Sequence, residues 1–445
     1  MGYQTRVNTR YKQVGSSTYL NLPGIMTESG LIVSHLKYLA HCNSRSLSWK
    51  KKSVTSLILL LRYIDVYQDK FSSPVKLLKA FSHVLSEGTI DYESLEDPSG
   101  LYWKPKKPQN SADIINHITQ YTDYLARESG FNENLANPFR EATAAEERLN
   151  WCAYYNRKKE VFLSHLMSSE KSKERNRKVR MVIAPQTPSV RPTNTKRFPE
   201  QYIEELLTKG FKTSTGKPDY KSMAMTMLMH YGGLRASELF HIYIGDIIED
   251  LNAPEEALVR VYHPDYGTSP KTEFKTRKDY LGSEFNLKPR NQIIGKLHSG
   301  WKSPLLNDNN FFFDVYFSSS EQSKIFYEIW INYLIYQRVD PKKGEEHPYA
   351  FTNSFGEPET IANFTSKHRR AIERINLKPD KNLGTTPHGH RHAYGFQLDE
   401  LGLSQVEIQK CMHHKNPNSC LIYLEPSEQE VRQKINAKEN HSRIK

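Results

Sequence analysis

Four cysteines are spread over 445 residues, at positions 42, 152, 411 and 420, and none stands in a CxxC pair or at metal-ligand spacing. That spacing excludes a disulfide-stapled scaffold and a zinc ribbon, and fits a reducing cytosol. No apolar run exceeds Leu57 to Leu61, far short of a membrane span. The opening MGYQTRVNTRYKQ is polar and lacks the apolar centre of a secretory signal. There is no P-loop and no cluster of carboxylates, so the signatures of nucleotide hydrolysis and of metal-assisted hydrolysis are both missing. Internal repeats and low-complexity tracts are missing too. The expectation is a soluble cytoplasmic protein of two or three domains.

What the chain has in surplus is positive charge. Lys plus Arg number 62 against 50 Asp plus Glu, a formal net charge of +12, and the sequence pI is near 9.2. Such a surplus suits a polyanionic partner. Part of it is concentrated: Lys50, Lys51 and Lys52 cluster at one end of a predicted helix, and Lys171 to Arg180 holds six basic residues against one acidic. Lys171, Lys173, Arg175, Arg177, Lys178 and Arg180 are therefore candidates, with the three clustered lysines, for contact with a phosphate backbone.

Apolar periodicity places helices over the first half of the chain. Leu31, Val33, Leu36, Leu39 and Ala40 form one stripe. Trp49 to Tyr67 forms a second helix, with Val54, Leu57, Ile58, Leu61 and Ile64 inward. Further helices cover Pro74 to Leu85 and Ser111 to Arg127. Residues 1 to about 28 show no sustained period and read as either a flexible arm or a short edge element. From Ser168 to Pro199 the composition turns to charge and then to Pro, Ser and Thr, as in a linker. Beyond it, Arg197 to Gly210 and Asp219 to His230 are amphipathic helices, Ala257 to Tyr262 alternates as a strand, and TEFKTRKDYL reads as the returning strand. Leu297 to Phe317, with its cluster FFFDVYF, reads as an insertion that adds a strand or covers an apolar surface. Helices are expected again over the stripe Ile325 to Gln337 and from Glu359 to Ile375, with a short strand at 349–354 between them.

The stretch Thr385 to Tyr423 carries the densest chemistry. Thr386 with Pro387 opens a helix that Leu401-Gly402 ends, Ser404 with Glu407 forms a capping box, and Asn416-Pro417 opens a third short helix ending near Tyr423. His388 and Arg391, three residues apart on the first helix, share a face able to hold one phosphate.

His-x-x-Arg-His at 388–392, His414, a tyrosine nine positions later, and Gly-Leu-Arg-x-Ser-Glu-Leu at 233–239 followed by Asp246-Ile247 resemble the tyrosine recombinases, the integrase family of phages and mobile elements. The resemblance is continuous from about Arg197 to Tyr423. It implies an α+β, mainly helical protein: an arm (1–28), an all-α core-binding domain on DNA (29–168), a basic linker (169–196), and a mixed α/β catalytic domain with a small antiparallel sheet (197–445) whose tail (427–445) is shared between subunits.

It also implies roles for particular residues. Arg235 and Arg391 stabilise charge on a scissile phosphate, His388 and His414 hydrogen-bond it or move a proton, and Tyr423 attacks to give a 3′-phosphotyrosine. A hairpin lysine, Lys275 or alternatively Lys271 or Lys278, protonates the leaving 5′ oxygen. The implied activity is metal- and ATP-independent site-specific recombination with no cofactor, for integration or excision of a mobile element. The implied partners are double-stranded DNA with specific sites, three further copies of the chain in a tetrameric synapse, and accessory proteins, with the protein on the nucleoid when bound. A type IB topoisomerase and a catalytically inactive DNA-binding factor are the rival readings. His392 resembles a histidine that supports this site from outside the phosphate. His390 stands where the family prefers an apolar residue, and His413 where it usually has glycine.

Overall fold

A computed structural model of the protein describes residues 3–13, 19–67, 70–128, 135–160, 176–184, 196–307 and 309–424. The fold is mostly helical with small antiparallel sheets. The chain divides into two compact units, Met1–Ser189 and Val190–Lys445.

In the first unit, β1 (Thr5–Lys12) and β2 (Tyr19–Thr27) form an antiparallel hairpin in register Thr5↔Met26, extended by the short β3 (Gly30–Leu31). This is the edge element of the two alternatives for the N-terminal residues. Inward positions of β1 alternate as Thr5, Val7, Thr9 and Tyr11, a strand pattern that mixed polar residues disguise in a hydropathy reading. Leu22 and Ile25 of β2 are fully buried against four helices: α1 (Val33–His41), α2 (Leu47–Tyr67), α3 (Pro74–Glu87) and α4 (Pro108–Glu128). Each helix lies where its apolar stripe put it. Ser73 caps α3 by accepting from the Lys76 amide, with Pro74 at the first turn. Phe81, Ile118 and Leu39 meet in the core, each worth about 2 kcal/mol of burial.

The unit closes with β4 (Phe139–Glu141), α5 (Ala144–Glu160) and β5 (Lys178–Arg180), the two strands paired antiparallel. The last pairing corrects the reading of 169–196 as a linker throughout. Lys178–Arg180 is strand, and Val182 and Ala184 lie in the first unit's core, held by the Val182 amide on Asn137 Oδ1 at 2.9 Å.

The second unit is built around α7 (Tyr220–His230), whose residues from Lys221 to His230 are all buried. Before it runs a helical stretch, 200–210, containing α6 (Ile203–Glu205). Asp219 caps α7 by accepting from the Ser222 amide. A three-stranded antiparallel sheet of β6 (Ile247–Asp250), β7 (Ala253–Tyr262) and β8 (Phe312–Asp314) packs with α9 (Ser320–Tyr336) and α10 (Ile361–Arg374) around α7. The FFFDVYF segment is thus the third strand of the sheet, with Phe313 buried.

TEFKTRKDYL is not a strand. Thr276 caps a helix, α8 (Arg277–Phe285), by accepting from the Asp279 amide, and only a single bridge, Thr268↔Thr276, is extended. The reason lies in Arg277, which is 2 % exposed, pairs with Asp246 at 2.8 Å, and is sandwiched between the rings of Tyr243 and Tyr262 at 4.1 and 4.0 Å. A buried guanidinium that finds both a carboxylate and two aromatic faces fixes the local backbone more strongly than strand alternation does. Residues 263–311 consequently separate β7 from its partner β8.

Three further helices complete the unit. They are α11 (Pro387–Glu400), α12 (Gln405–Cys411), which carries the complete Ser404–Glu407 capping box, and α13 (Leu421–Leu424) after a 3-10 turn at Pro417–Cys420.

Candidate active site

The two arginines arrive from different segments and are joined through backbone. After α7 the chain turns at Gly233, whose φ of +68° is the left-handed conformation glycine favours, and a Cβ there would stand 2.3 Å from the Tyr394 ring. The turn sets Arg235 next to Glu238, whose carboxylate accepts from Arg235 Nη1 at 2.7 Å and from its amide at 2.8 Å. Arg391, 3 % exposed on α11, donates from Nη1 to the carbonyl of Gly233 and from Nη2 to that of Met412 at 2.7 Å. Its fixed fork therefore ties the arginine box to the corner before His414. Burial, then the like charge of Arg235, pulls the Arg391 guanidinium down to about 10, so it stays charged at neutral pH.

Four histidine positions separate cleanly. His388 faces the cations; burial and then the charges of Arg391, Lys302, Lys381 and Arg235 lower it to about 4. His392 stacks edge-on against His388 with ring centres 4.4 Å apart, and its Nδ1 lies 3.2 Å from the hydroxyl of Tyr423. His414 lies nearly parallel to the Tyr423 ring, 6.3 Å between centroids, with Nδ1 3.1 Å from Cys420 Sγ. Burial raises that thiol and keeps it protonated. The thiol donates to Nδ1, which puts the His414 ring proton on Nε2. His413 turns the other way and stacks on Phe313 at 4.0 Å. Its φ of +52° explains why glycine would be at home in its place. Of the pair, His414 is the one beside the tyrosine.

Tyr423 is buried in α13 against α11. Gly395 makes the seat: a Cβ there would come within 2.7 to 2.8 Å of the tyrosine ring atoms Cε1, Cδ1 and Cζ. Burial raises the phenol above its usual value, while Arg391 and Arg235 act in the opposite direction. At neutral pH it is a protonated phenol with a neutral imidazole as acceptor, since burial and then the charge of His388 lower His392 to about 4.

The three candidate lysines lie on or before α8. Lys275 is exposed on the turn before α8, Lys278 is exposed on α8, and Lys271 pairs with Glu284 at 2.6 Å. None of them is among the charges acting on His388. Lys302 is among them. It precedes β8, and the backbone just beyond it is pinned to the site by the Leu305 amide donating to the His413 carbonyl at 3.1 Å.

The basic residues proposed to meet DNA divide. Lys50 is 7 % exposed and spends its ammonium on Asn43, at 3.2 Å from the carbonyl and 3.0 Å from Oδ1, which corrects its assignment as a surface contact. Lys51 is half-buried, and Lys52 pairs with Asp113 at 3.2 Å in the open. Arg180 is held by Asp123 and lies 3.8 Å over the Phe139 ring, so it too is a structural residue. Arg177 is exposed and 3.6 Å from Glu147, and Lys178 is exposed in β5. Lys171, Lys173 and Arg175 lie outside the described residues, as does the tail 427–445.

Residues 323–430, which include His388, Arg391, His414 and Tyr423, match the model of the phage integrase family. The segment belongs to that family. The whole chain is also similar to three solved structures. They are XerA recombinase (12% identity, TM-score 0.34, covering 91% of this chain and 96% of that one), the Tn1549 transposon integrase with a circular intermediate DNA (12%, 0.46, 91% and 98%), and a lambda integrase dimer bound to a COC′ core site (13%, 0.30, 84% and 86%). No curated protein matches the sequence. Among the described residues, no group of three or more His, Cys, Asp or Glu is placed to hold a metal ion, and no helix is long and apolar enough to cross a membrane.

Proposed function

We propose that this integrase is a site-specific DNA recombinase that cuts and rejoins duplex DNA through a 3′-phosphotyrosine on Tyr423, without metal or ATP. The observation that carries the reading is that Arg391 and Arg235 act electrostatically on Tyr423, His388 and His414 together, with His392 at the phenol's hydroxyl and Glu238 paired to Arg235. Two guanidiniums, Arg391 buried and Arg235 half-buried, against one carboxylate leave a site electrostatically short of one anion, and a phosphodiester supplies it. The phenol is a weak nucleophile until its proton leaves, and Nδ1 of His392 is the acceptor within reach. His414 Nε2–H and the arginines hold the non-bridging oxygens, and the bond energy is conserved in the phosphotyrosine until the 5′ hydroxyl of a partner strand attacks it. Arg235 and Arg391 are the cations, His388 and His414 the phosphate-facing imidazoles. The synapse is a tetramer on specific DNA sites, joined through the tail 427–445, and serves integration or excision of a mobile element.

On a nicked duplex whose cut strand loses its short 5′-hydroxyl fragment, the wild type is expected to form a covalent adduct and Tyr423→Phe none; an adduct in the variant removes Tyr423 from the nucleophile's role. Lys302 takes the part of leaving-group acid. Lys302→Ala should slow adduct formation on ordinary DNA about 100-fold, the usual size of a general-acid contribution, and restore it on a 5′-bridging phosphorothiolate, whose thiolate leaves unprotonated. Equal loss on both substrates would return the role to the lysines at 271–278.

A further inference from the structure

His390 stands alone in the sequence reading, on α11 between His388 and Arg391 but on the opposite face. It is fully buried, and both ring nitrogens are used: Nδ1 lies 3.0 Å from Nδ1 of His230, and Nε2 lies 2.8 Å from Nε2 of His368. His230 is the last residue of α7, just before the Gly-Gly-Leu-Arg turn, and its Nε2 lies 3.1 Å from Oε1 of Glu200. His368 is buried on α10. Three imidazoles on three helices thus form one line that ends on a carboxylate whose side chain is 53% exposed.

Each nitrogen–nitrogen contact holds one proton, so the line has a direction. With Glu200 ionised, Nε2–H of His230 donates to it. Nδ1 of His230 then accepts from Nδ1–H of His390, and Nε2 of His390 accepts from Nε2–H of His368. In this arrangement each ring donates one proton along the line. The reverse direction needs a donor at Nε2 of His230, and one stands by: the amide Nε2 of Gln397 is 3.2 Å from that nitrogen and 3.0 Å from Glu200 Oε1. A charge-assisted bond outweighs a neutral one by roughly twofold, so the carboxylate sets the direction.

We infer that Glu200, His230, His390 and His368 form a directional hydrogen-bonded relay that holds the Arg235 segment and the Arg391 helix in register for the proposed strand cleavage. These are positioning residues, since none faces the phosphate. The relay sits where it has leverage. His230 is five residues before Arg235, and His390 immediately precedes Arg391, so the His230–His390 bond and the Arg391–Gly233 bond clamp the same two segments from opposite sides. The surroundings are otherwise apolar or aromatic. Phe198 stacks on His390 at 4.3 Å, Tyr231 lies edge-on to His230 at 4.6 Å, and Phe211 and Phe364 flank His368 at 6.1 Å each. The charges that reach this end of the unit are Glu200, Glu204 and Glu321, which act on Tyr231, and Arg197, which acts on Glu200. Burial holds His368 at about 3 and His390 well below its usual value, which keeps both rings neutral.

The inference rests on the recombinase reading for its kinetic readout and has one readout that does not. Full-length protein with 15N-labelled histidine should show His390 protonated on Nδ1, and Glu200→Lys, which can only donate to His230, should move that proton to Nε2. An unchanged His390 tautomer in Glu200→Lys overturns the relay, whether or not the protein cuts DNA. In adduct formation on the nicked duplex, Glu200→Lys should be about ten-fold slower than wild type with DNA affinity unchanged. Glu200→Gln, whose amide oxygen still accepts, should recover most of that loss. His390→Leu should lose about as much as Glu200→Lys. Wild-type rates in a folded His390→Leu, or equal rates for Glu200→Lys and Glu200→Gln, would reduce the chain to packing. Absence of any adduct with the wild type counts against the recombinase reading, and the tautomer measurement then decides the relay alone.

Discussion

Arg391→Ala is expected to lower the rate of phosphotyrosine formation by at least about 1,000-fold, the upper end of what one preorganised donor contributes to a charged transition state. The loss exceeds that of a surface phosphate contact because Arg391 does two things at once. Its guanidinium holds charge against the phosphate in a buried site. Its fork also satisfies the carbonyls of Gly233 and Met412, which position Arg235 and the His413–His414 corner. Removing it orphans two buried acceptors, each costing about 1–3 kcal/mol, so the melting temperature should fall as well. Arg391→Lys separates the two effects, since an ammonium keeps the charge but cannot bridge both carbonyls in one plane. Its adduct rate should remain about 100-fold below wild type. A rate for Arg391→Lys equal to wild type would show that charge alone suffices, and that the tie between Gly233 and Met412 is irrelevant to cleavage.

The second large effect is on stability below neutral pH. Burial lowers His241 and His368 to about 3, and the charges that surround His241, led by Arg290, act in the same direction. Both are therefore neutral in the folded second unit at every pH down to about 3, while in the unfolded chain they take up protons below about 6.5. The unfolded state binds more protons in that window, so folding free energy falls as the pH drops from 6.5. Each histidine contributes about 1.4 kcal/mol per pH unit, and the pair about 3. His35 adds the same slope to the first unit down to about 4, where burial has set it. Guanidinium midpoints should be flat from pH 7 to 8 and decline steeply from 6.5 to 5. His368→Gln, which keeps a polar side chain without the titration, should take about 1.4 kcal/mol per pH unit off the slope for the second unit. A midpoint that holds level down to pH 5 would contradict the buried neutral state of these rings.

Periodicity and capping chemistry made most of the helices legible. α2, α3 and α4 lie within a few residues of their apolar stripes, and the Ser404–Glu407 box forms as written. The arginine box and the His-x-x-Arg-His face were legible for the same reason, since chemistry at fixed local spacing survives without knowledge of the fold. Three things were hidden, each by a long-range partner. Arg277 looked like one residue of a returning strand until Asp246 and two tyrosines took it inside and its segment became helix. Lys50 looked like surface charge until Asn43 folded over it. Lys302, the acid in the proposed chemistry, does not stand out in the sequence because residues 263–311 separate β7 from β8, and no local pattern tells which part of so long an excursion lies near the site. The histidine line is hidden in the same manner, since His230, His368 and His390 share no sequence window.

The seat of Tyr423 has a consequence for how subunits divide labour. The phenol rests on Gly395 and points at His392, both on the α11 of its own chain. On the proposed chemistry each subunit therefore brings a complete set of tools to its own strand and borrows no nucleophile from its neighbour. Two subunits with different lesions, one lacking the tyrosine and one lacking the arginine, cannot pool their intact halves into a working centre. Coordination among subunits must then come from permission rather than from parts: a neighbour decides when a strand is cut, while the means of cutting it never leave the chain.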